Sequence, residues 1–156
     1  MTVLKTKRQK IVEAVVTRMQ SIRTANDYQT DIGARVEDWA QRFDEEELKA
    51  QPSKAILGVY DLPDEVGKDG KHAIGATHRL RMQVRIFISK ATPASALRTM
   101  IGDVVKAIGT DMLWGFLAMD TEPGSEGFIV PTEAMEVAGA AVEFIVVYTT
   151  ATFDPY

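Results

Sequence analysis

Between His78 and Ser89 apolar and polar side chains alternate without a break. Leu80, Met82, Val84, Ile86 and Ile88 fall on one side, and Arg79, Arg81, Gln83, Arg85 and Phe87 on the other. A repeat of two is the side-chain period of extended backbone, so the pattern predicts a long strand with one buried face. A sheet with one apolar face needs a second layer to cover it. Two helical stripes supply that layer. Leu4, Ile11, Val12, Val15, Met19 and Ile22 predict a helix over 4–23, with Lys7, Arg8, Lys10, Arg18 and Arg23 on its solvated side. Leu97, Met100, Ile101, Val104, Val105 and Ile108 predict a second helix over 93–109, with Thr92 as N-cap, Pro93 at the first helical position and Gly109 as C-cap.

The rest of the chain is read around this frame. Ala55-Ile56-Leu57-Gly58-Val59-Tyr60 is a short apolar run bounded by Pro52 and Pro63, consistent with a buried strand. Phe128 to Val137 and Ala140 to Thr150 read as two further strands around a turn at Ala138-Gly139. The last has apolar residues on both faces, which suits a central position. In residues 34–51, Val36, Trp39, Ala40 and Phe43 have helical spacing, yet the acidic run 44–47 and Pro52 point to a loop that touches the core only through its aromatic residues; Gly33 reads as the residue that permits a tight turn. Asp111 to Gly127 reads as a crossover anchored by Trp114 and Phe116, with Pro123-Gly124-Ser125 as its exposed tip. Residues 61–77, rich in glycine and charge, read as a mobile loop, because so little apolar surface cannot hold a long segment still. The expected fold is α+β, with two helices on one face of a four- or five-stranded, mostly antiparallel sheet with long loops. At roughly 150 residues per domain, the chain's 156 residues form a single domain.

Composition narrows the chemistry. The chain has no cysteine, which removes disulfides and thiolate chemistry, and only two histidines, His72 and His78, with no carboxylates at ligand spacing beside them. A net charge of -4 argues against general binding of polyanions. Pro123-Gly124-Ser125-Glu126-Gly127 only partly imitates the nucleophile turn of a hydrolase, and Gly67-Lys68-Asp69-Gly70-Lys71 lacks the spacing of a phosphate loop. No membrane span or signal-peptide core is visible, so a cytoplasmic site of synthesis and assembly is expected. No catalytic, cofactor or metal residue is assigned. The acidic run Asp44-Glu45-Glu46-Glu47 reads as a solvated stretch. Arg79, Arg81 and Arg85 have two readings: an exposed sheet face paired with Glu143 or Glu136, or a surface that meets another subunit or nucleic acid.

The order of elements, with Asp44-Glu45-Glu46-Glu47-Leu48 leading into Ala55 to Tyr60, then a charged loop, Leu80 to Ile88, Ala94-Ser95-Ala96-Leu97 and Ala141 to Tyr148, resembles the tail terminators of long-tailed bacteriophages, the minor tail protein U family. The resemblance covers nearly the whole chain. It implies a structural virion protein at the head-tail junction, with no enzymatic activity and no cofactor. Such a protein forms a ring, expected to be a hexamer, on the head-proximal end of the tail tube. It stops addition of the major tail tube protein and meets a head-completion or connector protein, while DNA passes through the lumen without sequence-specific contact. The candidate interface residues are then Asp44, Glu45, Glu46 and Glu47 on one side of a subunit contact and Arg79, Arg81 and Arg85 on the other, together with Lys68, Asp69 and Lys71 of the charged loop. Alternatives are a head-tail connector or tail completion protein of similar fold, and a small cytoplasmic enzyme or ligand-binding domain that uses residues 61–77 as a lid.

Overall fold

The structure, a computed structural model, describes residues 3–39, 43–51, 53–68, 75–129 and 138–156. Its centre is β4, Gly75–Ile88, which pairs antiparallel with β6, Ala138–Ala151, over fourteen matched residues from Gly75↔Ala151 to Ile88↔Ala138. On the other side β4 meets β2, Ala55–Asp61, and then the short β3, Glu65–Lys68, both antiparallel. A three-residue β1, Val36–Asp38, adds to β2 in parallel, and β5, Asp120–Ile129, pairs with β6 at the far edge. The result is a six-stranded mixed sheet in the order β1-β2-β4-β6-β5, with β3 beside β4.

Two helices, α1 (Lys7–Gln20) and α3 (Ala94–Gly109), cover one face of this sheet, and the fold is α+β as expected. Leu80, Met82, Val84, Ile86 and Ile88 of β4 are all buried, as are Val142, Phe144, Val146 and Tyr148 of β6. They form one core with Ile11, Val12, Val15 and Met19 of α1 and Leu97, Met100, Val104 and Ala107 of α3. Burying such side chains stabilises by about 1.5–3 kcal/mol each, which is why the alternation decides the face of β4. Among the described residues, no helix is long and apolar enough to cross a membrane.

Several boundaries differ from expectation for local reasons. Helix α1 starts at Lys7 because the Thr6 hydroxyl accepts from the Gln9 N–H at 3.1 Å and caps it. Helix α3 takes Pro93 itself as its cap residue, with no side-chain cap, and ends past Gly109 on Thr110, whose hydroxyl donates to the Ala107 carbonyl at 2.8 Å. Gly33 serves close approach rather than a turn: a Cβ there would lie 2.5 Å from the Met19 carbonyl oxygen and 2.8 Å from that of Ile22. Residues 34–51 are not simply a loop, since they hold β1 and a short helix α2, Glu45–Ala50. Leu48 is its buried anchor, while Trp39 is 55% exposed. Ala40 lies outside the described residues.

The second half shows the same kind of correction. Gly139 is a strand residue of β6 opposite Phe87, not a turn, and a Cβ on it would run into the Ile86 carbonyl. Pro123-Gly124-Ser125 lies inside β5, at an irregularity in pairing between Pro123 and Glu126, rather than at a loop tip. Of the two expected crossover anchors, Trp114 is 2% exposed and Phe116 is 89% exposed. Residues 65–68 of the expected loop form a strand. His72, Asp69, Lys71, Glu136 and the expected strand residues beyond Ile129 lie outside the described residues.

Candidate interaction surfaces

The sheet face away from α1 and α3 carries the arginines. At one end α2 covers it: Leu48 and Ile56 are buried there, and the rings of Phe43 and Phe87 meet edge to face at 5.3 Å. Over the rest, the charges are matched within the chain. Arg79 donates twice to Glu122, at 2.7 and 2.5 Å, and this contact holds the Glu122 carboxyl below its usual range. The Arg85 Nε donates to Gln83 Oε1 at 2.5 Å, its guanidinium lies 4.9 Å from the Tyr60 ring centroid, and Gln83 donates in turn to Glu143 at 2.7 Å. Arg81 is the loosely held member, 3.9 Å from Glu143 with its side chain 52% exposed. The face is therefore a balanced mosaic, in line with the paired reading through Glu143.

The acidic run is also engaged. Asp44 caps α2 by accepting from the Glu47 N–H at 2.6 Å, which places Glu45, Glu46 and Glu47 in the first helical turn, where the helix dipole favours negative charge. Glu45 accepts from the Ser89 hydroxyl at 2.5 Å, Glu47 pairs with Arg35 at 2.8 Å, and Glu46 stands exposed. Lys68 sits in β3 opposite Ala76. Within one chain the acidic run and the three arginines do not touch: Arg79 pairs with Glu122, Arg81 lies near Glu143, and Arg85 rests on Gln83 and the Tyr60 ring.

Two features were not legible in sequence. The first is a hydrogen-bonded chain at the far end of the core face. His78 lies flat on Tyr148, with centroids 4.5 Å apart and planes at 6°. Its Nδ1 is 3.1 Å from Asp64 and its Nε2 is 2.8 Å from the Thr150 hydroxyl. The Thr150 hydroxyl also lies 3.0 Å from the Ala151 carbonyl oxygen, so the imidazole and that carbonyl both face it. These contacts tie β4 to β6 and to the segment that holds Asp64. Arg8 extends the tie, bonding Asp61 at 2.6 Å and the Leu62 carbonyl at 3.0 Å. Beside His78 opens a cleft of about 680 Å3 lined by Val66, Ala76, Thr150, Phe153 and Pro155. The Thr152 hydroxyl at the same cleft is buried without a hydrogen-bond partner among the described residues. Asp64, His78 and Thr150 are 14 and 72 positions apart, so no local motif announces them.

The second feature is a built protrusion. Trp114, Gly115 and Phe116 follow one another in left-handed backbone, with φ of 53°, 67° and 67°. For a bulky residue that conformation is an outlier, costing roughly 1–3 kcal/mol, and it persists only where its surroundings enforce it. Asp111 does so. Its carboxylate accepts from the Gly115 N–H at 2.7 Å and the Leu113 N–H at 2.9 Å, and these bonds hold its carboxyl below the usual range. Trp114 is clamped between the Arg18 guanidinium, 3.6 Å from its ring centroid, and Phe144, and donates from Nε1 to Thr121 at 2.8 Å. On this base Phe116 points outward, flanked by Met112, Leu113 and Met119 at 48%, 38% and 61% exposure. Phe153, at φ 60°, is likewise fully exposed. The sequence signal here is Asp111 itself, a residue type whose side chain readily bonds the backbone two residues on.

Among the described residues, no group of three or more histidines and carboxylates is placed to hold a metal. No protein-family model matches the chain, and a search of curated proteins finds no relative.

Proposed function

We propose that this chain is a structural virion protein, a tail terminator that forms a ring on the head-proximal end of a phage tail tube, stops tube growth and offers a surface for head joining. The observation that carries this reading is the Phe116 loop: Asp111 and Trp114 hold a strained backbone in place to present an apolar side chain to solvent. An isolated monomer gains nothing from such a loop, whereas an assembly subunit uses exposed aromatic anchors at its contacts. The resemblance in element order supports the more specific assignment. A tube of identical subunits joined head to tail is open-ended, so its length requires a component that binds the last ring and offers no further site of the same kind. The charge-balanced sheet face suits a protein past which DNA moves without being held. A head-tail connector or tail completion role is the second reading within the same class.

The test is an amber mutation in the gene within its phage, followed by electron microscopy of the lysate. Overlong tails, unjoined to filled heads, are expected. Unjoined tails of normal length point to the connector or completion role, and normal tails on filled heads rule out both.

A further inference from the structure

Taking the ring reading as its premise, we infer that the Phe116 loop of one copy inserts into the His78 cleft of the next. The chain carries both halves of such a contact. One is a projecting apolar group of Met112, Leu113, Phe116 and Met119; the other is a recess of about 680 Å3 walled by Val66, Ala76, Phe153 and Pro155. The volume falls within the roughly 300–1,000 Å3 of pockets that enclose ligand-sized groups. Phe116 does not enter the recess of its own chain, since it is 89% exposed and forms no part of the cleft lining.

A second copy is the occupant because it answers both exposures at once. Every copy has one protrusion and one recess, built from different residues, so the contact between copies is heterologous and each subunit of a closed ring buries both. A foreign partner at the cleft leaves the strained protrusion uncovered. The parts also match in chemistry. The exposed Phe153 ring gives Phe116 an aromatic neighbour, the flexible methionines adapt to the apolar walls, and the buried Thr152 hydroxyl gains a polar group from the incoming backbone.

The absence of cysteine makes the contact directly testable with the full chain. Leu113→Cys and Val66→Cys are combined, leaving Phe116 in place, and the protein is oxidised and run without reductant. A ladder of covalent oligomers ending at one closed species is expected, while either single variant gives no species beyond a dimer. Phe116→Ser, at an exposed position, should keep the wild-type melting curve and weaken association about tenfold or more in native mass spectrometry. A ring that persists unchanged in Phe116→Ser overturns this contact and leaves the ring reading standing. Cross-linking of Leu113→Cys to itself as efficiently as in the pair also overturns it, because the contact is then two-fold. A wild type that stays monomeric overturns the contact too, and the terminator reading then rests on the tail-length experiment alone.

Discussion

Asp103, in the middle of α3, grips Thr30 across 73 residues of sequence: one carboxylate oxygen accepts from the Thr30 N–H at 2.8 Å and from its hydroxyl at 2.6 Å. The other oxygen accepts from the Gln29 N–H at 3.1 Å, and the residue is 3% exposed. A helix residue thus fastens the segment that follows α1. Hydrogen bonds to a charged group contribute about 1.5–3 kcal/mol each, and buried donors left unpaired add a desolvation cost. Asp103→Ala should therefore lower stability by about 3 kcal/mol, read as a fall in the urea midpoint with little change in slope. Asp103→Asn, which keeps an acceptor, should recover part of it.

Two glycines should respond to alanine with opposite signs. At Gly33 the new methyl group would meet three backbone carbonyls at 2.5–2.8 Å, none of which is a flexible side-chain end, so a loss of about 1–3 kcal/mol is expected. At Gly102, inside α3, nothing lies within 4 Å, and alanine should raise stability by about 0.5–1 kcal/mol through helix propensity. Thermal melts of the two variants at one pH check the pair.

Val84 is fully buried on the core face of β4, beside Val59 and Val142 on the neighbouring strands. A carboxylate there has no partner, and its burial costs several kcal/mol or more against a total stability of about 5–15. Val84→Asp should abolish the cooperative melt followed by circular dichroism. A soluble variant that melts as the wild type does would mean that β4 faces the other way.

Tyr148 gives a pH signature. Burial, with the Asp64 charge nearby, raises its phenol to about 12 from an ordinary 10. Between those values the unfolded chain has lost the proton that the folded one keeps, so stability must fall as pH rises through this window. The contribution is fully present below pH 10. Denaturant titrations from pH 9 to 12 should show a steeper decline in the wild type than in Tyr148→Phe.

The elements that carry the core were legible because their side chains repeat with the backbone period: β4, β2, the inner face of β6 and both long helices stand where the pattern puts them. The edges were not. Strand β1 has three residues, β3 reads Glu-Val-Gly-Lys, and β5 contains Pro123 and two glycines, so none offers a run of alternating apolar residues. They are strands because β2, β4 and β6 present unpaired backbone groups to them, a reason that lies in tertiary structure. The candidate interface was legible only in part. Arg79, Arg81 and Arg85 share a face as the alternation requires, but their partners Glu122 and Tyr60 come from other strands. The sequence points to Phe116 as an anchor because aromatic residues are usually buried; the backbone hydrogen bonds that Gly115 and Leu113 donate to Asp111, and that turn the loop outward, depend on a geometry no spacing encodes.

The irregularity at Pro123–Glu126 bears on how the protein behaves when many copies are crowded together. Strand β5 closes the described sheet at one edge. A regular outer strand recruits a neighbouring chain through its main-chain groups, and each recruit offers another such strand, the route by which cross-β fibrils elongate. In β5 the proline withholds an N–H, the pairing slips, and the exposed Glu126 puts negative charge on the rim. Sideways stacking of sheets is thereby discouraged, and contact between molecules is left to side chains, whose shapes can tell one neighbour from another. A concentrated stock of the protein should remain clear and bind no amyloid dye on storage, and replacing Pro123 with threonine is the change best placed to spoil that.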